Sequence, residues 1–150
     1  MRLLKNHRRL LIAIAWTLVI FVFSLQNGED SLSLSLAVFN AIASVFPQLS
    51  DPAIQAFAVT AIRKAAHFTE YFILGALYAK ADPDTPLDLL EIGLFIPFLD
   101  EALQGFVDGR GSSLIDVMID LVGYCLGLWF FGGFKQRRLQ RYFKKNETTE

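Results

Sequence analysis

Arg63, His67, Glu70 and Tyr71 follow the spacing i, i+4, i+7, i+8, so on a helix they share one face. Glu101 and Gln104 share a face by the same spacing, with Asp100 beside them, and Asp116 and Asp120 repeat the pattern further on. Arg110 lies between Gly109 and Gly111. These residue types can do three kinds of chemistry. An imidazole beside a carboxylate is an acid/base pair. Arginine grips a phosphate or carboxylate through bidentate, charge-assisted hydrogen bonds. Histidine with carboxylates can also hold a divalent metal. The ligand-binding candidates are Arg63, Lys64, His67, Glu70, Asp100, Glu101, Gln104, Arg110, Asp116 and Asp120. Among them His67, Glu70, Glu101 and Asp116 are the candidates for proton transfer. The chain contains no HExxH, GxSxG or P-loop, so its motifs assign no cofactor and no resident metal. The single Cys125 excludes an internal disulfide and a multi-cysteine metal site; it reads as a small buried thiol.

The surroundings of these charges make them notable. Of fourteen Lys and Arg residues, ten lie in the tails: Arg2, Lys5, Arg8 and Arg9 at one end, and Lys135, Arg137, Arg138, Arg141, Lys144 and Lys145 at the other. The intervening chain is largely apolar. The whole is 53% hydrophobic with fourteen Phe and a mean hydropathy of +0.40, which leaves little material for a water-facing surface. An ionisable group in such a chain is costly unless paired or wet. The basic tails read as topology signals, and no nucleic-acid partner is expected.

Four apolar stretches, at about 10–26, 60–80, 87–106 and 114–133, fit spanning helices. The first could extend through Gln26 and Asn27. A signal peptide shares its basic-then-apolar pattern, but no small-x-small cleavage site follows Ser24, so an uncleaved helix is expected. Residues 26–50 form an outer loop. Their LSLSLAVFNAIASVF run reads as a short helix at the membrane interface; the alternation Leu32, Leu34, Leu36 also fits a strand, though one without a partner. Ser50-Asp51-Pro52 is a helix start, with the helix running to about Lys80. Asp82-Pro83-Asp84-Thr85-Pro86 is a turn. Pro97 falls within the third span. Gly123 and Gly127 form a GxxxG pattern that lets a neighbouring backbone approach closely. The expected fold is an all-α membrane bundle of four transmembrane helices with an additional short interfacial helix, one domain over residues 1–150.

Two basic tails, 1–9 and 134–150, place both termini in the cytoplasm by the positive-inside rule. Arg63 to Glu70, Asp100 to Gln104 and Arg110 to Asp116 then fall on one outer side, where they can meet. The weak point is the Asp-Pro turn, which would be cytoplasmic with only Lys80 against several acids.

The run Arg63-Lys64-Ala65-Ala66-His67-Phe68-Thr69-Glu70-Tyr71-Phe72-Ile73-Leu74-Gly75 resembles the VanZ-like family of small bacterial membrane proteins. So do Asp100-Glu101-Ala102-Leu103-Gln104-Gly105-Phe106, Gly109-Arg110, and Asp116-Val117 with Gly123 downstream. One departure is Asp120, where the family often has Asn. The family's namesake is associated with teicoplanin resistance, so the resemblance implies a role in a bacterial cell envelope and supplies no reaction. Three readings stay open. The cluster can be an outward-facing pocket for an anionic amphiphile: a membrane lipid, a lipid-linked precursor or a lipoglycopeptide. It can be an acid/base or metal-assisted enzyme acting on a lipid or cell-wall precursor. It can be an ion-pair network that fixes helix packing. Oligomeric state is not encoded in any pattern here.

Overall fold

The computed structural model describes residues 2–49, 51–81 and 86–132. The turn residues Asp82 to Thr85, and the basic tail beyond Gly132, lie outside them. The described residues form five α-helices, one short 3-10 turn at Pro47–Leu49, and no strand.

Helix α1 covers Arg2–Ser24. It stops at Ser24, so Gln26 and Asn27 do not extend it. Asn27 instead caps α2, Gly28–Ala43, by accepting the Asp30 N–H at 2.7 Å. Glu29 and Asp30 occupy the first turn, where carboxylates complement the helix dipole. That start signal settles 28–43 as helix over strand. Ser33 and Ser35 turn their hydroxyls onto the carbonyls of Asp30 and Ser31, so they sit in the helix without orphaned polar groups.

Helix α3 covers Pro52–Ala81, about 45 Å at 1.5 Å per residue. Asp51 caps it, its Oδ1 accepting the N–H groups of Ala53 and Ile54 at 2.8 and 3.4 Å. Helix α4, Pro86–Gln104, runs through a wholly buried Pro97. Helix α5, Leu114–Phe131, is capped by Ser113, whose Oγ accepts the Asp116 N–H at 3.3 Å.

The long helix α3 is central and packs most extensively on α5. Gly123 lies against the Phe68 carbonyl and Gly127 against that of Phe72; both contacts climb in the same direction, so α3 and α5 are parallel. Gly75 meets the Tyr124 carbonyl from the other side. Helix α1 runs antiparallel to α3, with Arg9 against Lys80 and Trp16 against Glu70. Helix α4 runs antiparallel to α5, with Gly93 on the Tyr124 ring and Glu101 beside Ser112. The end of α1, the first half of α3, the end of α4 and the start of α5 therefore share one end of the bundle. The core beneath it holds Ile20, Tyr71, Leu74, Tyr78, Ile96, Tyr124 and Leu128.

The outside is apolar. Leu11, Val22, Phe95, Phe106, Leu114 and Trp129 are each more than 60% exposed, more greasy surface than a water-soluble monomer carries. Two helical segments, His7–Ser24 and Leu114–Phe131, are long and apolar enough to cross a membrane. Cys125 is exposed, not buried: the face of α5 that meets α3 is filled by Gly123, Tyr124, Gly127 and Leu128, and Cys125 falls on the other side.

Candidate functional site

At the shared end, three side chains converge in the interior. Ligand-capable atoms of His67, Asp100 and Asp120 all lie within 4.8 Å of one another. His67 comes from α3, Asp100 from α4 and Asp120 from α5, so all three helices must be packed for the group to exist. His67 Nδ1 stands 3.5 Å from Asp120 Oδ1, without the alignment of a hydrogen bond. Both Asp120 oxygens are fully buried and unpartnered.

Asp100 is held on every side. Ser24 Oγ hydrogen-bonds Asp100 Oδ1, and also lies 3.0 Å from the Ile20 carbonyl. Gln104 Nε2 donates to Asp100 Oδ2 at 3.3 Å. The Tyr71 hydroxyl is buried beside Asp100 without a well-formed partner. Tyr71 therefore joins the polar group as well as the packing.

The other carboxylates have partners of their own. Glu101 Oε1 accepts the Ser113 N–H, and Ser112 Oγ donates to the Glu101 carbonyl at 3.1 Å. This ties the end of α4 to the start of α5, while Glu101 Oε2 is buried and unpartnered. Asp116 pairs with Lys64, which removes Lys64 from the list of free cations.

Arg63, His67, Glu70 and Arg110 line a small cavity of about 70 Å³ with Ser24, Gln26, Ser31 and Ser35, enough for a few water molecules. Gly109 takes φ +74, a left-handed value that glycine adopts at no cost. The Gly28 N–H donates to the Asp108 carbonyl at 3.0 Å. This pins the α4–α5 loop to the α1–α2 corner and sets Arg110 over the cavity. Its Nη1 donates to the Ser24 carbonyl at 3.4 Å. Its guanidinium makes no ion pair with Glu101, whose Oε1 accepts from Ser113, or with Asp116, which pairs with Lys64. Burial and the neighbouring Arg63 push the Arg110 guanidinium below its ordinary pKa, against the pull of Asp100, Glu101 and Glu70. Beside the cavity an open, mostly apolar groove runs along Trp16, Ile62, Ala65, Thr69 and Ile73; Ala66 and Glu70 belong to both.

The VanZ/LLP1 family profile matches residues 9–135. The chain belongs to the VanZ/LLP1 family. Neither a curated protein nor a solved structure matches it. Membership of VanZ/LLP1, with two helices apolar enough to cross a bilayer, is consistent with a bacterial membrane protein that has a role in the cell envelope. The VanZ/LLP1 match spans every residue of the group just described.

Sequence reasoning missed Ser24 and Ser113 in this VanZ/LLP1 chain. Ser113-x-x-Asp116 is a capping pattern that could have revealed the start of α5. Ser24 carried no signal, since a lone serine in an apolar helix usually just returns its proton to the preceding turn.

Proposed function

We propose that this protein is a four-span membrane protein whose cavity recognises the anionic head of an amphiphilic envelope molecule. The carrying observation is that Arg63 and Arg110 line one cavity while, among the described residues, neither has a carboxylate within ion-pair distance. Two neighbouring guanidiniums repel each other, and an anion between them relieves that repulsion. The phosphate of a lipid or lipid-linked precursor, or a carboxylate of a lipoglycopeptide, supplies the charge. The groove along Trp16 and Ile73 supplies an apolar wall for the attached chain, and Glu70 stands where head and chain would join.

In this reading residues 1–150 form one membrane domain. α1, α3, α4 and α5 cross the bilayer, and α2 lies at the outer interface over the cavity mouth. The tails are cytoplasmic and the cavity opens outward. Ligand contacts come chiefly from Arg63, His67, Glu70 and Arg110. Lys64, Asp116, Glu101 and Gln104 hold those residues in place.

Native mass spectrometry of the purified protein tests the reading. Phosphatidylglycerol should be retained in preference to phosphatidylcholine. Teicoplanin as competitor separates a lipid from a lipoglycopeptide ligand: displacement of the lipid assigns both to one cavity. Equal retention of the anionic and zwitterionic lipids would overturn the proposal.

A further inference from the structure

We propose that His67, Asp100 and Asp120 form a divalent-metal site in the interior of the bundle, next to the cavity and distinct from its arginines. One imidazole and two carboxylates form a donor set that first-row ions such as Zn²⁺ and Mn²⁺ accept. The sequence motifs assigned no metal; the packing of α3, α4 and α5 is what assembles these donors.

The independent sign of a ligand is Asp120. It is wholly buried, with neither oxygen hydrogen-bonded. A buried carboxylate left this way is expensive. His67 Nδ1 lies 3.5 Å from Asp120 Oδ1, an ion pair when the imidazole is protonated, but no hydrogen bond joins them and Asp120 Oδ2 has no hydrogen-bond partner. With the imidazole neutral, two acceptor-bearing groups that face each other without a hydrogen bond leave a position for a shared cation. Ligands around a tetrahedral Zn²⁺ lie roughly 3.4 Å apart; the His67–Asp120 pair is already there, and the full set spreads to no more than 4.8 Å. Side-chain movements of up to roughly 1.4 Å close the rest.

The surroundings suit ligands. Ser24 and Gln104 hydrogen-bond the two Asp100 oxygens and still leave lone pairs for a metal. Such partners orient the metal-ligating carboxylates of metal proteins. The charge also balances, since a divalent cation offsets two carboxylates where no Lys or Arg is ion-paired to them. His67 also lines the cavity, so the proposed site adjoins it. The site does not depend on the amphiphile reading.

Tag-free, full-length protein in detergent is stripped with EDTA and dialysed against Zn²⁺ or Mn²⁺. Bound metal is counted by mass spectrometry, and thermal unfolding is followed with and without ion. The wild type should hold roughly one ion per folded chain, which raises its unfolding temperature. His67→Gln, Asp100→Asn and Asp120→Asn should each weaken binding at least about tenfold, the loss that even outer-shell partners cause, whereas Glu91→Gln on exposed α4 surface should bind as wild type does. Folded wild type that takes up far less than one ion, or a His67→Gln/Asp120→Asn double variant that keeps its ion, would overturn the assignment. The wild-type stoichiometry decides the matter even if a variant fails to fold.

Discussion

Arg110 is the residue whose chemistry is most exposed to test. It spends one donor on the Ser24 carbonyl at a long 3.4 Å, leaving most of its planar fork for a ligand. Arg110→Lys keeps the charge and loses the fork. Affinity for phosphatidylglycerol, measured in nanodiscs, should fall by at least about 1 kcal/mol, the scale of one net hydrogen bond. Arg110→Ala should fall further. If Arg110→Lys binds as wild type does, the cavity reads charge alone. The identity of this residue and its neighbours was legible because helical spacing tells which side chains share a face. Their partners were not legible. Spacing on one helix says nothing about what a neighbouring helix presents, so the pairing of Lys64 with Asp116 was not legible. The same gap hid the meeting of Ser24 with Asp100, two residues far apart in the chain.

Among the helices, the α3–α5 contact sets the geometry of everything at the cavity end. A Cβ on Gly127 would run into the Phe72 carbonyl and lie 2.8 Å from the Ala76 nitrogen. Both are backbone atoms that cannot swing aside. Gly127→Ala should therefore lower stability by about 1–3 kcal/mol, the range for overpacking, read as thermal unfolding in detergent. Gly111→Ala is the contrast, because nothing lies within 4 Å of its added carbon; it should stay within about 0.5 kcal/mol. A Gly127→Ala variant as stable as wild type would mean that α3 and α5 are not so close. The GxxxG pattern announced the α5 side of this contact. Its counterpart Gly75 had no glycine partner at helical spacing in α3 and was marked only as the last residue of the VanZ-like run. The capped start of α3 and the proline-containing α4 were read from local chemistry, whereas the Ser113 cap of α5 was missed. Helix α2 was ambiguous because its Leu/Ser alternation mimics a strand, and only the Asn27 cap and the acidic first turn resolve it.

Across the bundle, the two ends differ in kind. One gathers the carboxylates, His67 and the cavity. At the other, Arg9 Nη1 donates to the Lys80 carbonyl at 3.1 Å, and Lys80 Nζ sits 4.5 Å above the Phe131 ring. The end of α3 that seemed poor in positive charge is thus joined by the basic start of α1, which supports a cytoplasmic placement by the positive-inside rule. In a Cys125→Ser background, Gly111→Cys should react with an impermeant maleimide from outside. Thr85→Cys and Thr148→Cys should react only after the membrane is opened. Labelling of Thr148→Cys from outside would divide the proposed cavity from the outer face. The most direct measurement remains lipid retention by the paired-arginine variant. Arg63→Ala/Arg110→Ala, shown to be folded by its unfolding temperature, should lose the preference for phosphatidylglycerol over phosphatidylcholine that the wild type shows. A folded double variant that keeps the wild-type preference would contradict the account, because the anion would then be held somewhere other than between these two guanidiniums.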